Sequence, residues 1–514
     1  MIPKPPFAWE LTPEAEIAAF EALQPRLGVL WYAIFPGNED HYTSVVVPSL
    51  TLDPAELQKI EGVSFYEERL LFLLIRLRNP EAHLVYVTSQ PVHTLVLEYY
   101  LQFLAGVPAS HARARLTLLS ANDASARPLT EKILARPRLI QRIRAGIRDP
   151  SRAYLSVFNS TPLERRLAVL LGIPMNGIDP RLAHLGSKSG SRRVFRSAEV
   201  DLPAGFEDLH TREDVENALT ELRRLRPGLK RAVLKLNEGF SGEGNAVFQY
   251  PNEAGRQAIR DALEKLSCCA RGQTVDRYFE TYAKMGGIAE ELCESGECAS
   301  PSVQLRVNPR GQVILISSHD QILGGCDGHV FLGCRFPSGD GYRQLIQEAG
   351  LRIGAVLAKL NVVSRFSVDF LVSRPGAGAP WDVRALEINL RMGGTTHPFL
   401  ALRFLAEGAL DPDTGLFHTK DGGARFYRST DNLQSKDYRG LLPEDLFDIV
   451  TYNRLHYDQA RGRGVLFHMI GAVSQYGKVG LTAIGSSREE AEALYTHAVA
   501  VLDAECRLGH PEHR

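Results

Sequence analysis

Glu387, Asn389 and Arg391 are spaced two apart in the run EINLR. On a β-strand successive side chains alternate faces, so these three share one face and Ile388 and Leu390 share the other. A carboxylate, an amide oxygen and a guanidinium make a poor core. They make a good clamp for a hard cation beside an anion. Mg²⁺ favours oxygen ligands and substrate phosphates, and a guanidinium presents a forked donor to an oxyanion. Just upstream, RFSVDFLV (365–372) alternates too, with Arg365, Ser367 and Asp369 on one face. The SRPGAGAP segment between the runs is turn-forming, so a hairpin could set Asp369 beside Glu387. The register across so long a loop is not fixed by sequence. A solvated hairpin face with ordinary salt bridges gives the same pattern.

A second cluster lies in RAVLKLNEGFSGEGNAVFQY (231–250). It reads as a strand with Lys235 near its end, a glycine-rich loop and a returning strand. Gly239, Gly242 and Gly244 would let backbone approach a phosphate closely, and Lys235 would contact the same phosphate. A hairpin with a glycine turn reads identically. Lys188 sits in the Gly/Ser-rich stretch LGSKSGS, read as a loop before a helix start, where backbone N–H groups and a point charge also suit an anion. An exposed loop is the plainer reading. Glu290 and Glu297 flank an acidic segment. They could accept hydrogen bonds from an adenine amine and ribose hydroxyls, or be ordinary surface carboxylates.

The elements that must position these groups follow from periodicity. RLGVLWYAIF (26–35) and HLVYVTSQPV (83–92) read as buried strands, with FYEERLLFLLIRLRNP as a helix ending at Pro80 between them. HTLVLEYYLQFLAG reads as a helix and ARLTLLSAND as strand and turn. This β-α-β-α-β order predicts a small open sheet with covering helices. It contains no GxGxxG. The segment 130–150 is a basic amphipathic helix pair, and 340–363 is a helix leading into the Asp369 strand. After a helix at FLALRFLAEGAL comes a polar stretch to about 440. Two strands about Tyr476-Gly477-Lys478 and a final helix form a small α+β closing unit.

Composition bounds the rest. The chain has 514 residues, of which 44% are hydrophobic, and at ~150 residues per domain this predicts about three domains. A net charge of −1 argues against a nucleic-acid or anionic-membrane partner. Seven cysteines without a CxxC pair read as reduced thiols of a cytoplasmic protein. No run reaches the ~18 apolar residues of a membrane-spanning helix, and MIPKPPFAWELTPE lacks a signal-peptide core.

The order strand-Lys-Gly-rich loop, spaced glutamates, VDF and EINLR resembles the ATP-grasp superfamily of carboxylate–amine ligases over roughly 185–400. RPLTEKILARPRLIQRIR, GSKSGSRRVF and FHMIGAVSQYGKVGLTAIG look like the peptide ligases of the pheganomycin biosynthesis type. That likeness implies an α/β and α+β chain: a pre-ATP-grasp α/β domain over 1–184, an ATP-grasp region over 185–410 and an α+β C-terminal domain over 411–514. It implies ATP held by Lys188 and Lys235 under a loop carrying Ser241, Gly242 and Gly244. Glu290 and Glu297 would hold adenosine, and Asp369, Glu387 and Asn389 would hold Mg²⁺, with Mn²⁺ as a substitute. Arg391 or Arg365 would stabilise the tetrahedral intermediate. The implied reaction joins an amino-acid carboxylate to the amine of an amino acid or peptide through an acyl phosphate, releasing ADP and phosphate. The partners are small-molecule or peptide substrates, and family habit implies a homodimer. A kinase or dikinase using the same nucleotide site, and a nucleotide-binding regulatory protein without turnover, remain the alternatives. A protein kinase is disfavoured because Lys235 precedes the glycine-rich loop and no HRD segment occurs.

Overall fold

The computed structural model describes residues 11–33, 40–239, 244–253, 255–270, 272–292, 296–324 and 330–509. The first sheet is wholly parallel. Its strands run Leu116–Ser120, Ala82–Thr88, Tyr42–Val47, Ala153–Val157 and Met175–Asn176 across the sheet. Alternation along the central strands feeds two cores. Val45, Val47, Val85 and Val87 pack with Ile133, Ile140, Ile143 and Leu167 on one face. Val46, Leu84 and Tyr86 pack with Leu70, Leu74 and Val96 on the other. Helices therefore cover both faces, as a parallel sheet requires.

The described part of RLGVLWYAIF is not a strand. Residues Arg26–Ala33 form a helix. Leu27 and Leu30 are buried while Val29 and Tyr32 are exposed, which is the three-residue spacing of a helix rather than the two-residue spacing of a strand. The strand of that region is Tyr42–Val47, buried along its whole length. The helical reading of FYEERLLFLLIRLRNP holds in a tighter form, a 3₁₀ run over Val63–Arg78.

The second sheet is antiparallel, in the order Gly205–Leu209, Gly287–Glu291, Arg231–Leu236, Asn245–Gln249 and Ser267–Cys268. Helices Arg212–Leu225, Arg256–Leu263 and Val275–Met285 share its core. The third sheet is larger. Strand Ser364–Arg374 pairs with Pro301–Val307 and with Asp382–Asn389. The ladder continues through Val313–Gly324 and Val330–Phe336 to Ala424–Gln434. Lys478–Gly485 pairs with that last strand and with Gly464–His468, so the closing unit extends the same sheet. Helix Arg343–Lys359 packs into the core beneath, with Ile346, Ile353 and Leu357 against Val303, Leu305, Phe366 and Val368.

The polar stretch before 440 contains strands Gly408–Leu410, Phe417–Thr419 and Ala424–Gln434. The last of these is central to the site. No helix among the described residues is long and apolar enough to cross a membrane. The five cysteines among the described residues carry free thiols.

Candidate functional site

Strand Ser364–Arg374 and strand Asp382–Asn389 form the hairpin anticipated from sequence, and its register pairs Asp369 with Glu387 and Ser367 with Asn389. The apolar alternate residues Val368, Phe370 and Ile388 are fully buried in the core beneath. That packing fixes the register, because a one-residue slip would turn the core face outward. The polar face is left to the site. Asn389 Nδ2 donates to Asp369 Oδ2 at 2.9 Å, leaving the Asn389 amide oxygen for another partner. Burial, and then the facing Glu387 carboxylate, push the Asp369 carboxyl up to about 7. Glu387 moves the other way. Burial opposes its charge, but Lys188, Arg391 and Lys235 together hold its carboxyl below the ordinary value. Burial lowers the Arg391 guanidinium, and the two carboxylates oppose that shift.

Lys188 is the first residue of helix Lys188–Ser197 rather than part of a loop. Ser187 caps this helix by accepting from Gly190 N at 3.0 Å. Lys188 N and Ser189 N donate to the Asn237 main-chain and side-chain oxygens at 3.2 and 2.9 Å. These N–H groups are therefore used by the fold, and they tie the helix start to the glycine-rich segment. The Lys188 ammonium itself ion-pairs with Glu387.

Lys235 lies on strand Arg231–Leu236, and its ammonium meets Glu290 at 2.5 Å. Glu290 is 2% exposed and also pairs with Arg192 at 3.0 Å. Its carboxylate thus serves two cations of the protein. Gly239 and Gly244 close on each other so tightly that a side chain at either would strike the other's backbone. Ser241 and Gly242 lie outside the described residues. Glu297 is on edge strand Glu297–Ala299, paired with Arg374 at 2.5 Å, apart from the other candidates.

Lys188, Lys235, Gly239, Asp369, Glu387, Asn389 and Arg391 all line one cavity of about 640 Å³. Glu290, Glu297 and Arg365 do not line it. Arg365 sits opposite Arg306 on the neighbouring strand. Burial, and then Arg306, Arg403 and Arg76, bring its guanidinium down to about 9. Of the two arginines the sequence offered, Arg391 lines the cavity and Arg365 does not.

The cavity also takes residues that sequence reasoning passed over. Tyr66 and Arg69 come from the 3₁₀ run, Asp431 from Ala424–Gln434 and Lys478 from Lys478–Gly485. Arg69 Nη1 pairs with Asp431 Oδ2 at 3.0 Å, and Lys478 Nζ donates to the Tyr66 hydroxyl at 2.8 Å. The signal was the run EER set inside an apolar stretch, since three charges buried together need partners from elsewhere in the chain.

The residues fit a magnesium nucleotide. Two facing carboxylates crowd negative charge that Lys188 offsets only in part, and a divalent cation would relieve the rest. Two ammonium groups and a glycine pair without side chains stand beside them.

Residues 180–253 and 256–413 match the family model described as IQCH-like, ATP-grasp, and residues 445–498 match the PGM1 C-terminal domain. The L-propargylglycine–L-glutamate ligase of Streptantibioticus cattleyicolor is 28% identical over 90% of this chain and 94% of its own. IQ motif-containing protein H of Danio rerio is 24% identical over 69% of this chain, and the match spans 38% of that protein. In fold, the biotin carboxylase of Campylobacter jejuni aligns with a TM-score of 0.54 at 13% identity, over 92% of this chain and 96% of that one. The chain is thus similar to ATP-grasp proteins over residues 180–413 and, over most of its length, to an amino-acid ligase.

Proposed function

We propose that this enzyme forms an amide bond between the carboxylate of one amino acid and the amine of another amino acid or short peptide, using ATP through an acyl phosphate and releasing ADP and phosphate. The observation that carries this reading is the single cavity that gathers both lysines, the Asp369–Glu387–Asn389 set and Arg391. A carboxylate is a poor electrophile because its oxygen leaves badly. Transfer of a phosphoryl group to that oxygen gives a leaving group, after which an amine can attack. Such transfer asks a protein mainly for positioning and charge neutralisation.

Lys188 and Lys235 would hold the nucleotide phosphates, and Glu290 would keep Lys235 extended toward them. Asp369, Glu387 and Asn389 would hold Mg²⁺, which when bound neutralises phosphate charge. Arg391 would stabilise the oxyanion of the tetrahedral intermediate. The Arg69–Asp431 pair, Lys478 and Tyr66 present both charge signs on the same cavity wall. That mixture suits zwitterions, and the relative named for joining L-propargylglycine to L-glutamate supports amino acids on both sides. ATP use and free thiols fit a cytoplasmic setting.

The test is mass spectrometry of products from pairwise amino-acid mixtures with ATP and Mg²⁺, L-glutamate included. A dipeptide that forms only with both partners and ATP supports the assignment. ATP consumption with one amino acid alone, yielding a phosphorylated product and no dipeptide, contradicts it.

A further inference from the structure

The mechanism above leaves two buried histidines unused, and they converge on Asp431 of the cavity wall. His397 lies in the first turn of helix Thr396–Leu405, His468 ends strand Gly464–His468, and Asp431 lies on strand Ala424–Gln434. All three are buried, and among the described residues they form the one group of three His, Cys, Asp or Glu side chains whose ligand atoms converge as a metal site would require. The two Nε2 atoms are 2.9 Å apart, and they lie 3.4 and 3.8 Å from Asp431 Oδ1. A triangle with those sides has its circumcentre about 2.0 Å from each corner, which is the length of a Zn–N or Zn–O bond.

Other features favour an ion over a bare side-chain cluster. Asp431 Oδ1 is buried without a hydrogen-bond donor, although Oδ2 is taken by Arg69. The outer Nδ1 of each imidazole also has no partner. Nothing in the fold therefore fixes either tautomer. One N–H between the rings would still leave the carboxylate oxygen unsatisfied. A cation at the common point takes up both nitrogens and the oxygen at once. A side chain at Gly480 would collide with the His468 ring, so this position leaves the ring its place.

We propose that His397, His468 and Asp431 bind one first-row divalent cation, Zn²⁺ by geometry and donor type, at the seam between helix Thr396–Leu405 and the C-terminal strands. Two imidazoles and a carboxylate suit such a metal. The Asp369–Glu387–Asn389 set offers oxygens only and suits Mg²⁺, so the two sites differ in chemistry. The ion would pin Asp431, and with it Arg69, on the cavity wall.

The test uses the full chain, stripped with a chelator, loaded with Zn²⁺ alone and dialysed. Elemental analysis should find about one Zn²⁺ per chain, retained in Glu387→Gln and reduced at least tenfold in His468→Gln. Co²⁺ loaded in its place should give the visible absorption of an imidazole-ligated low-coordinate ion, bleached by Zn²⁺. The absence of retained Zn²⁺ in the unmodified chain would overturn the site. So would Zn²⁺ that leaves in Glu387→Gln or stays in a folded His468→Gln. If His468→Gln does not fold, the Co²⁺ spectrum of Glu387→Gln decides, because without the imidazole pair no such spectrum appears.

Discussion

Asp369 and Glu387 stand opposite each other on antiparallel strands, with Asn389 bridging to Asp369 at 2.9 Å. Two half-buried carboxylates in that position repel each other, and the fold keeps them there by packing Val368 and Ile388 on the reverse face. A site of this kind is stable only with a cation nearby, which Lys188 partly supplies and Mg²⁺ would complete. Glu387→Ala should therefore lower ATP turnover by about 10³-fold or more, while the circular dichroism spectrum stays native. Unchanged turnover in that variant would remove the metal assignment.

Lys235 reaches the cavity under the hold of Glu290 at 2.5 Å. Lys235→Met should weaken ATP binding by about tenfold or more, each factor of ten being ~1.4 kcal/mol. Glu290→Gln should weaken it less, because the ammonium remains and only its anchor changes. Calorimetric titration with ATP checks the order of the two effects. An equal or larger loss in Glu290→Gln would mean that the carboxylate itself contacts the nucleotide.

The two candidate arginines separate cleanly by position. Arg391 lines the cavity, whereas Arg365 lies among Arg306, Arg403 and Arg76. Arg391→Lys should cost about 10²-fold in kcat, since an ammonium cannot reproduce the planar fork. Arg365→Met should leave kcat within a few-fold. Steady-state kinetics of the two variants reads this directly, and a large kcat loss in Arg365→Met would return that residue to the site.

Glu68 gives a stability prediction with a definite sign. Burial, against which the Gly471 and Ile470 N–H groups work, raises its carboxyl from 4.5 to about 7. Between those values the folded chain holds a proton that the unfolded chain has released. The stabilisation is complete below the unfolded value and is lost as pH rises through the folded one. At pH 8 the charged, buried Glu68 costs about 3 kcal/mol at most. Glu68→Gln keeps an oxygen for Gly471 N, now at 3.1 Å from Oε2. It should raise the unfolding midpoint at pH 8 and change it little at pH 4.5. A midpoint at pH 8 equal to or below that of the unmodified chain would contradict the shift.

What sequence showed, and what it hid, follows from the range of the interactions. The hairpin of Asp369 and Glu387 was legible because strand alternation is local and a turn-forming loop joins its strands. The strand before the glycine segment was legible for the same reason. Arg26–Ala33 misled because a short apolar run does not declare its period until burial shows which residues face inward. Arg69, Asp431 and Lys478 were hidden because they meet across separations of hundreds of residues. The parting of Arg365 from Arg391 was equally invisible, since both read as polar strand positions in sequence and only the fold sets Arg365 among Arg306, Arg403 and Arg76.

The most direct test of an acyl-phosphate ligase is the identity of the nucleotide product. Purified chain with Mg²⁺, ATP and pooled amino acids and short peptides should yield ADP and phosphate, and only when both a carboxylate and an amine partner are present. AMP and pyrophosphate in place of ADP and phosphate would contradict the account, because they mark attack on the α-phosphate and an adenylate instead.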